Sequence, residues 1–417
     1  MVANGPEEIS ASGLRARRPV HIAHAAAVWL AAAVLVVTQG AANVLGSKAP
    51  PPLLSIARWQ SSALSSTATL HLLQPQIPGA MTTARRGALE AWRRDPTNHG
   101  AVRTLWELER RRGSTDSVAR LASTARALGW RDYLTELYTA RDAAERGDET
   151  TAMRHISAAL TTHRRARAQV MPTFIKLTAD PRLIPQLATI IASKPDWLDQ
   201  FNAEWVPNAP SPVTMAALSQ RLDAMDASVS PQTRAGIIGR LVADNRYALA
   251  ASEYRRARPQ LVAAGQTLSD GFDHVFTYRP FDWQLNDSGE IGAFVARAAN
   301  SPTQLVGETT TSGSSEIARR ILLLPPGNYQ FVGSVASIEP DSGPDVPGGS
   351  GGQLEVVCAV QGQPLGKSAV ASGTIRARVT VPEGCPAVYL FVRQVSADPA
   401  GANFVYSPIR MDRLPAP

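Results

Sequence analysis

Apolar positions are distributed along this chain in three successive textures. Near the start they are continuous: Ala25–Val37 holds no polar residue, and the 29 residues between Arg18 and Lys48 carry no formal charge. A membrane-crossing helix needs about 20 residues, so the run spans by recruiting Ile22 and the weakly polar flank to Leu45. Arg15, Arg17 and Arg18 precede it and only Lys48 follows closely. That asymmetry predicts a cytoplasmic tail over 1–20, a transmembrane helix over 21–45 and an exported body. The rival reading is a cleaved signal peptide ending near Gly40-Ala41-Ala42, which exports the body as well.

From about Thr82 the apolar positions recur at helical spacing. Residues 46–80 form a linker, stiffened by Pro50-Pro51-Pro52, with one or two short helices within Leu53–Leu73. Ala88, Leu89 and Trp92 are followed by Asp95-Pro96-Thr97-Asn98; Val102, Leu105, Trp106 and Leu108 come next, and Gly113 breaks the pattern. Val118, Leu121, Ala122, Ala125 and Leu128 make another face before Gly129. The pattern continues over Tyr133–Glu145, Thr151–Leu160, Pro172–Leu177, Pro185–Ala192, Trp197–Trp205, Val213–Met225 and Gln232–Ala257. Asp180-Pro181 and Lys194-Pro195-Asp196 read as breaks of the helix-start type. Helices of this length cannot bury an apolar stripe alone, so residues 81–265 are expected to stack as an α-solenoid. Trp92, Trp106 and Trp130 are expected in its inter-helix packing.

After Pro259 the period shortens to two. Alternating runs predict strands at Phe281–Leu285, Gly292–Ala298, Ile317–Leu324, Tyr329–Val335, Leu354–Val360, Thr374–Val381, Ala387–Val395 and Phe404–Met411. Pro325-Pro326-Gly327-Asn328 and Pro340–Gly352 separate them as loops. The expected fold is multidomain, α then β: residues 266–417 form a β-sandwich of jelly-roll type.

Charge and cysteine content sharpen this picture. Residues 81–170 hold 17 Arg and 11 acidic side chains, against 10 basic and 13 acidic over 271–417. The arginines recur among carboxylates at helical spacing, without interleaved aromatics, so nucleic acid is not an expected partner. A solvated helix face accounts for them, with an acidic polymer or anionic lipid as the alternative contact. The two cysteines, Cys358 and Cys385, are expected to form a disulfide in an oxidising compartment, either between neighbouring strands or across the two sheets.

Ala88-Leu89, Trp92, Asp95-Pro96-Thr97-Asn98, Gly129-Trp130-Arg131-Asp132 and Arg146-Gly147-Asp148 before Ala152 resemble degenerate tetratricopeptide units. With Pro280–Leu285, Leu324–Tyr329, Val356-Val357-Cys358 and Val381–Pro386, the layout over residues 40–414 resembles single-pass, exported tetratricopeptide-like proteins of proteobacteria. In that group a helical array precedes a terminal sandwich similar to a carbohydrate-binding module, often in exopolysaccharide or cell-surface assembly. The resemblance implies architecture more than activity.

Catalytic signatures are not found. There is no Gly-x-Ser-x-Gly, no phosphate-binding glycine loop and no His-Glu-x-x-His, and His71, His99, His155, His163 and His274 are scattered singly. No metal or cofactor is expected. Sugar rings stack their C–H faces on aromatic side chains, and Phe272, Phe276, Tyr278, Phe281 and Trp283 cluster at the sandwich entrance, alternating with Asp282, Gln284 and Asn286. The candidate glycan-binding residues are Tyr278, Trp283, Tyr389 and Tyr406, although Trp283 shares a face with Phe281 and Leu285 that reads as core. The expectation is a non-enzymatic scaffold held in the inner membrane, its body in the periplasm, contacting envelope or polysaccharide-assembly proteins and glycan. Two alternatives stand beside it: a polysaccharide hydrolase or lyase with a helical catalytic domain, and a structural component of a secretion or envelope complex that binds protein only.

Overall fold

The computed structural model describes residues 60–129, 132–259, 272, 277–297, 303–338 and 349–415. The expected tail and membrane helix, and with them Trp130, Phe276 and His274, lie outside the described residues. Among those described, no helix is long and apolar enough to cross a membrane. Contacts divide the chain into two units, residues 1–163 and 164–417.

Among the described residues of the first unit six helices follow one another: α1 (Ser61–Leu73), α2 (Ala80–Arg94), α3 (His99–Arg112), α4 (Thr115–Leu128), α5 (Tyr133–Glu145) and α6 (Glu149–Thr162). Three of these starts carry a side-chain cap. Asn98, Asp132 and Asp148 accept from the backbone amides of Ala101, Thr135 and Thr151, which otherwise lack partners at a helix N-terminus. Gly113 ends α3 at φ +80°, a left-handed conformation that side chains with a Cβ resist. α3 is the hub: Ala101–Leu108 are all buried, Leu105 and Leu108 against α1 and α2, Val102 and Trp106 against α4.

The second unit begins with α7 (Arg167–Leu177), α8 (Ile184–Ala192), α9 (Leu198–Asn208), α10 (Pro212–Asp223), α11 (Pro231–Ala243) and α12 (Tyr247–Ala257). The helix expected over Pro172–Leu177 begins earlier, so that Pro172 lies inside α7. Burial of Met171, Phe174 and Ile175 on one face outweighs the hydrogen bond a proline forfeits. Phe174, Trp197, Phe201 and Trp205 pack edge to face or stacked at 5.1–6.0 Å. Deeper along the array Arg234 bonds Asp223 and Glu253, and Arg256 bonds both as well, a buried polar network joining α10, α11 and α12. Burial pushes the Glu253 carboxyl up, against the pull of Arg256, Arg234 and the Ser219 hydroxyl.

Eleven strands follow among the described residues: β1 (Gln284–Leu285), β2 (Ile291–Ala296), β3 (Gln304–Thr309), β4 (Gly313–Leu322), β5 (Gly327–Ser337), β6 (Gly351–Cys358), β7 (Pro364–Lys367), β8 (Gly373–Val381), β9 (Val388–Ser396), β10 (Ala402–Tyr406) and β11 (Arg410–Leu414). One sheet runs β1-β4-β9-β6-β7. In the other, β8 edges β5, whose far side takes β10 and β11 end to end, followed by β3 and β2. All pairings between named strands are antiparallel, and the inner faces share one core containing Leu305, Phe331, Leu354, Leu390 and Phe404.

The expected strand Phe281–Leu285 shrinks to β1, because Phe281 and Asp282 turn to meet α12. Phe404–Met411 is two strands, divided near Pro408, whose missing amide cannot serve a ladder. β3 and β7 lie outside the strands expected from alternation. Gly307 lets the sheets approach closely: a Cβ there would meet Gln394 Oε1 at 2.6 Å, and Gln394 is the buried side chain that reaches from β9 to Thr309 of β3 at 3.1 Å.

The disulfide joins Cys358 to Cys385, with Cα atoms 5.8 Å apart. Cys358 ends β6 and Cys385 lies in the turn that leads into β9, the strand paired with β6. Of the two expected ties, the bridge is therefore the one between neighbouring strands.

Candidate functional site

β9 is the central strand of the five-stranded sheet, and its side chains alternate strictly. Val388, Leu390, Val392 and Gln394 are buried, while Tyr389, Phe391, Arg393 and Val395 are half-buried on the opposite face. Register carries this outer face sideways. Phe391 stands opposite Arg319 of β4 and Glu355 of β6; Arg319 in turn faces Gln284 of β1, and Glu355 faces Lys367 of β7. Gln284, Arg319, Phe391, Glu355 and Lys367 therefore form one row across all five strands. At about 4.8 Å per strand the row is about 19 Å long.

Neighbouring rows complete the strip. Tyr389 lies one row away, its ring centroid 5.7 Å from that of Phe391. Arg393 bonds Glu355 through Nε, and its guanidinium carbon stands 5.4 Å from the centre of the Phe391 ring. Arg319 donates from Nε to Gln284 at 2.9 Å, approaches Glu316 at 3.6 Å and stands 6.0 Å from the Tyr389 centroid. Burial pushes the Tyr389 phenol up, with the Arg319 charge pulling the other way, so the hydroxyl stays protonated and able to donate at neutral pH. The face thus presents two aromatic rings between planar guanidinium, carboxylate and amide groups whose orientations are held by one another. Such a surface stacks on apolar C–H faces and offers donors and acceptors to hydroxyls beside them.

Of the four candidate glycan residues, Tyr389 alone is on this face. Trp283 is 2% exposed, packed on Phe272 at 5.0 Å with the Arg320 guanidinium 5.3 Å from its centre. Tyr406 is buried on β10, its hydroxyl donating to the Arg393 carbonyl at 3.3 Å. Tyr278 is buried near Arg258, whose guanidinium carbon is 5.0 Å from its ring centre. Rings so enclosed leave no free face for a sugar.

Phe391 is the residue that sequence reasoning passed over. The alternation within Ala387–Val395 placed it on the face of Tyr389, but the cross-strand row needed the register. Asp282, read merely as polar alternation, is buried and accepts from Tyr254 Oη at 2.9 Å, the Tyr278 amide at 2.8 Å and Arg258 at 3.2 Å. It locks α12 to the sandwich. Among the described residues no cluster of three His, Cys, Asp or Glu side chains is arranged to hold a metal.

No family model matches the chain, and no curated protein matches it. Solved structures with some likeness include TmCBM61 in complex with β-1,4-galactotriose, at 14% identity and TM-score 0.24, covering 32% of this chain and 88% of that one. The enzymatically active domain of tailspike protein 4 of bacteriophage CBA120 shows 9% identity and TM-score 0.23, over 36% of this chain and 20% of that one. Arabinose-bound MgGH51 α-L-arabinofuranosidase shows 13% identity and TM-score 0.25, over 35% and 26%. At such scores these likenesses carry no argument about ligand or activity.

Proposed function

We propose that this protein is a non-enzymatic binding scaffold, exported and held in the inner membrane by residues 21–45, whose helices meet protein partners and whose sandwich holds glycan. The envelope and exopolysaccharide setting belongs to the same proposal. The observation that carries the glycan part is the row Gln284, Arg319, Phe391, Glu355 and Lys367 with Tyr389 beside it. A strip about 19 Å long suits an extended oligosaccharide lying across the strands better than a single enclosed ring.

The test is binding of the purified full-length chain to an array of bacterial envelope oligosaccharides, followed by titration calorimetry on the best ligand. Phe391→Ala and Tyr389→Ala are each expected to weaken binding about tenfold, in keeping with the loss of one stacking contact. The absence of any glycan ligand, or ligands held equally by both variants, defeats the assignment. Release of reducing ends or unsaturated sugars by the same preparation would replace the scaffold with the enzymatic alternative.

A further inference from the structure

In the first unit the second and third helical hairpins do not close on each other. α4 and α5 touch along only a short stretch, and long side chains span the rest. Trp106 of α3 meets Tyr138 edge-on at 5.8 Å, and Arg141 reaches Glu107 at 2.9 Å. What remains open is a groove of about 440 Å³, with Val118 and Ala122 of α4 on one wall, Asp142 and Arg146 on the other, and Trp106 and Arg126 completing the lining.

Two independent features mark this groove as incomplete. Trp106 is 1% exposed, yet its Nε1–H has no acceptor among the described residues. A buried donor without an acceptor costs about 1–3 kcal/mol, and this one belongs to a ring that lines a ligand-sized space. The second feature is charge. The single lining carboxylate, Asp142, is engaged by Arg141 at 3.1 Å. Arg126 and Arg146 are exposed at the groove, with Arg126 committing Nε to the Ala122 carbonyl at 3.2 Å and Arg146 neighbouring Asp148.

We propose that this groove docks an extended acidic peptide segment of a partner protein. A main-chain carbonyl of the peptide accepts from Trp106, an aliphatic side chain lies on Val118 and Ala122, and carboxylates meet Arg126 and Arg146. A sugar is the poorer occupant, because the wall is aliphatic and the one ring in the lining is enclosed, leaving no flat platform. The inference rests on the scaffold reading only in that the helices meet protein; the glycan face is independent of it.

The test selects a display library of random peptides against the full-length chain and measures the recovered peptides by fluorescence anisotropy. Enriched peptides are expected to be rich in Asp and Glu. Their affinity should fall about tenfold or more for R126E/R146E, two surface changes, and about threefold for Trp106→Phe, which keeps a ring and deletes the N–H. Failure to enrich acidic peptides, or equal binding by the charge-reversed chain, overturns the proposal. An oligogalacturonate probe is run alongside, and its saturable binding, abolished by the same charge reversal, would assign the groove to acidic glycan and equally overturn it. Phe391→Ala should leave peptide affinity unchanged, so the groove and the sandwich face fail separately.

Discussion

Replacing Asp282 with Ala tests the way the second unit is joined. The carboxylate is buried, with the Tyr254 hydroxyl at 2.9 Å, the Tyr278 amide at 2.8 Å and Arg258 at 3.2 Å as its donors. Alanine leaves all three without an acceptor. Arg258 keeps its charge in a site where its side chain is only 19% exposed. Removing one member of a buried charged pair costs about 3–5 kcal/mol, and an orphaned buried amide or hydroxyl adds about 1–3 kcal/mol. Water entering the vacated space offsets part of this sum, so a loss of about 4 kcal/mol is expected. The assay is urea unfolding, with hydrogen exchange read locally over Tyr247–Ala257 and Gln284–Leu285, because two units need not unfold as one. Tyr254→Phe alone should cost about 1 kcal/mol, and in the double variant its effect should largely vanish, since the hydroxyl then has no carboxylate to meet. A loss below about 1 kcal/mol in Asp282→Ala, or full additivity with Tyr254→Phe, refutes the view that this carboxylate fastens α12 to the sandwich.

Other consequences follow from the same contacts. Cys358→Ala/Cys385→Ala opens a bridge across a sequence separation of 27 and should lower stability by about 3 kcal/mol; denaturation of the double variant against the oxidised parent measures it. Trp283→Ala empties a fully enclosed position and should cost about 3–5 kcal/mol, whereas Phe391→Ala should change stability by less than about 1 kcal/mol while reducing glycan binding. Equal destabilisation by the two would deny Phe391 its place as an open platform. Burial by itself would raise the Glu107 carboxyl, but hydrogen bonds from Arg110 and Arg111 and the charge of Arg141 hold it at about 2. Because the folded value lies below the unfolded one of about 4.5, this stabilisation is complete above pH 4.5 and drains away as pH falls toward 2. Acid unfolding of the first unit should therefore steepen across that window in the parent and flatten in Glu107→Gln; identical acid limbs would argue against it.

What could be read directly from the residue pattern was whatever depends on near neighbours in the chain. The apolar spacing of Val102, Leu105, Trp106 and Leu108 and of Val118, Leu121, Ala122, Ala125 and Leu128 announced their helices because a helical face repeats within four residues, and the alternation over Ala387–Val395 announced β9 because side-chain direction reverses at each step. The cysteine pair was legible from its even number, although its reach was not. Tertiary pairing decided the rest. Phe391 became the centre of a polar row only when register set Arg319 and Glu355 on either side of it. Tyr406, as eligible a ring as Tyr389, was taken into the core by the packing of sheet on sheet, whereas the core place of Trp283 was already legible in the face it shares with Phe281 and Leu285. Asp282 shows the reason most plainly: its partners Tyr254 and Arg258 lie 28 and 24 residues earlier, and no local periodicity reports a contact that exists only once two separately formed elements meet.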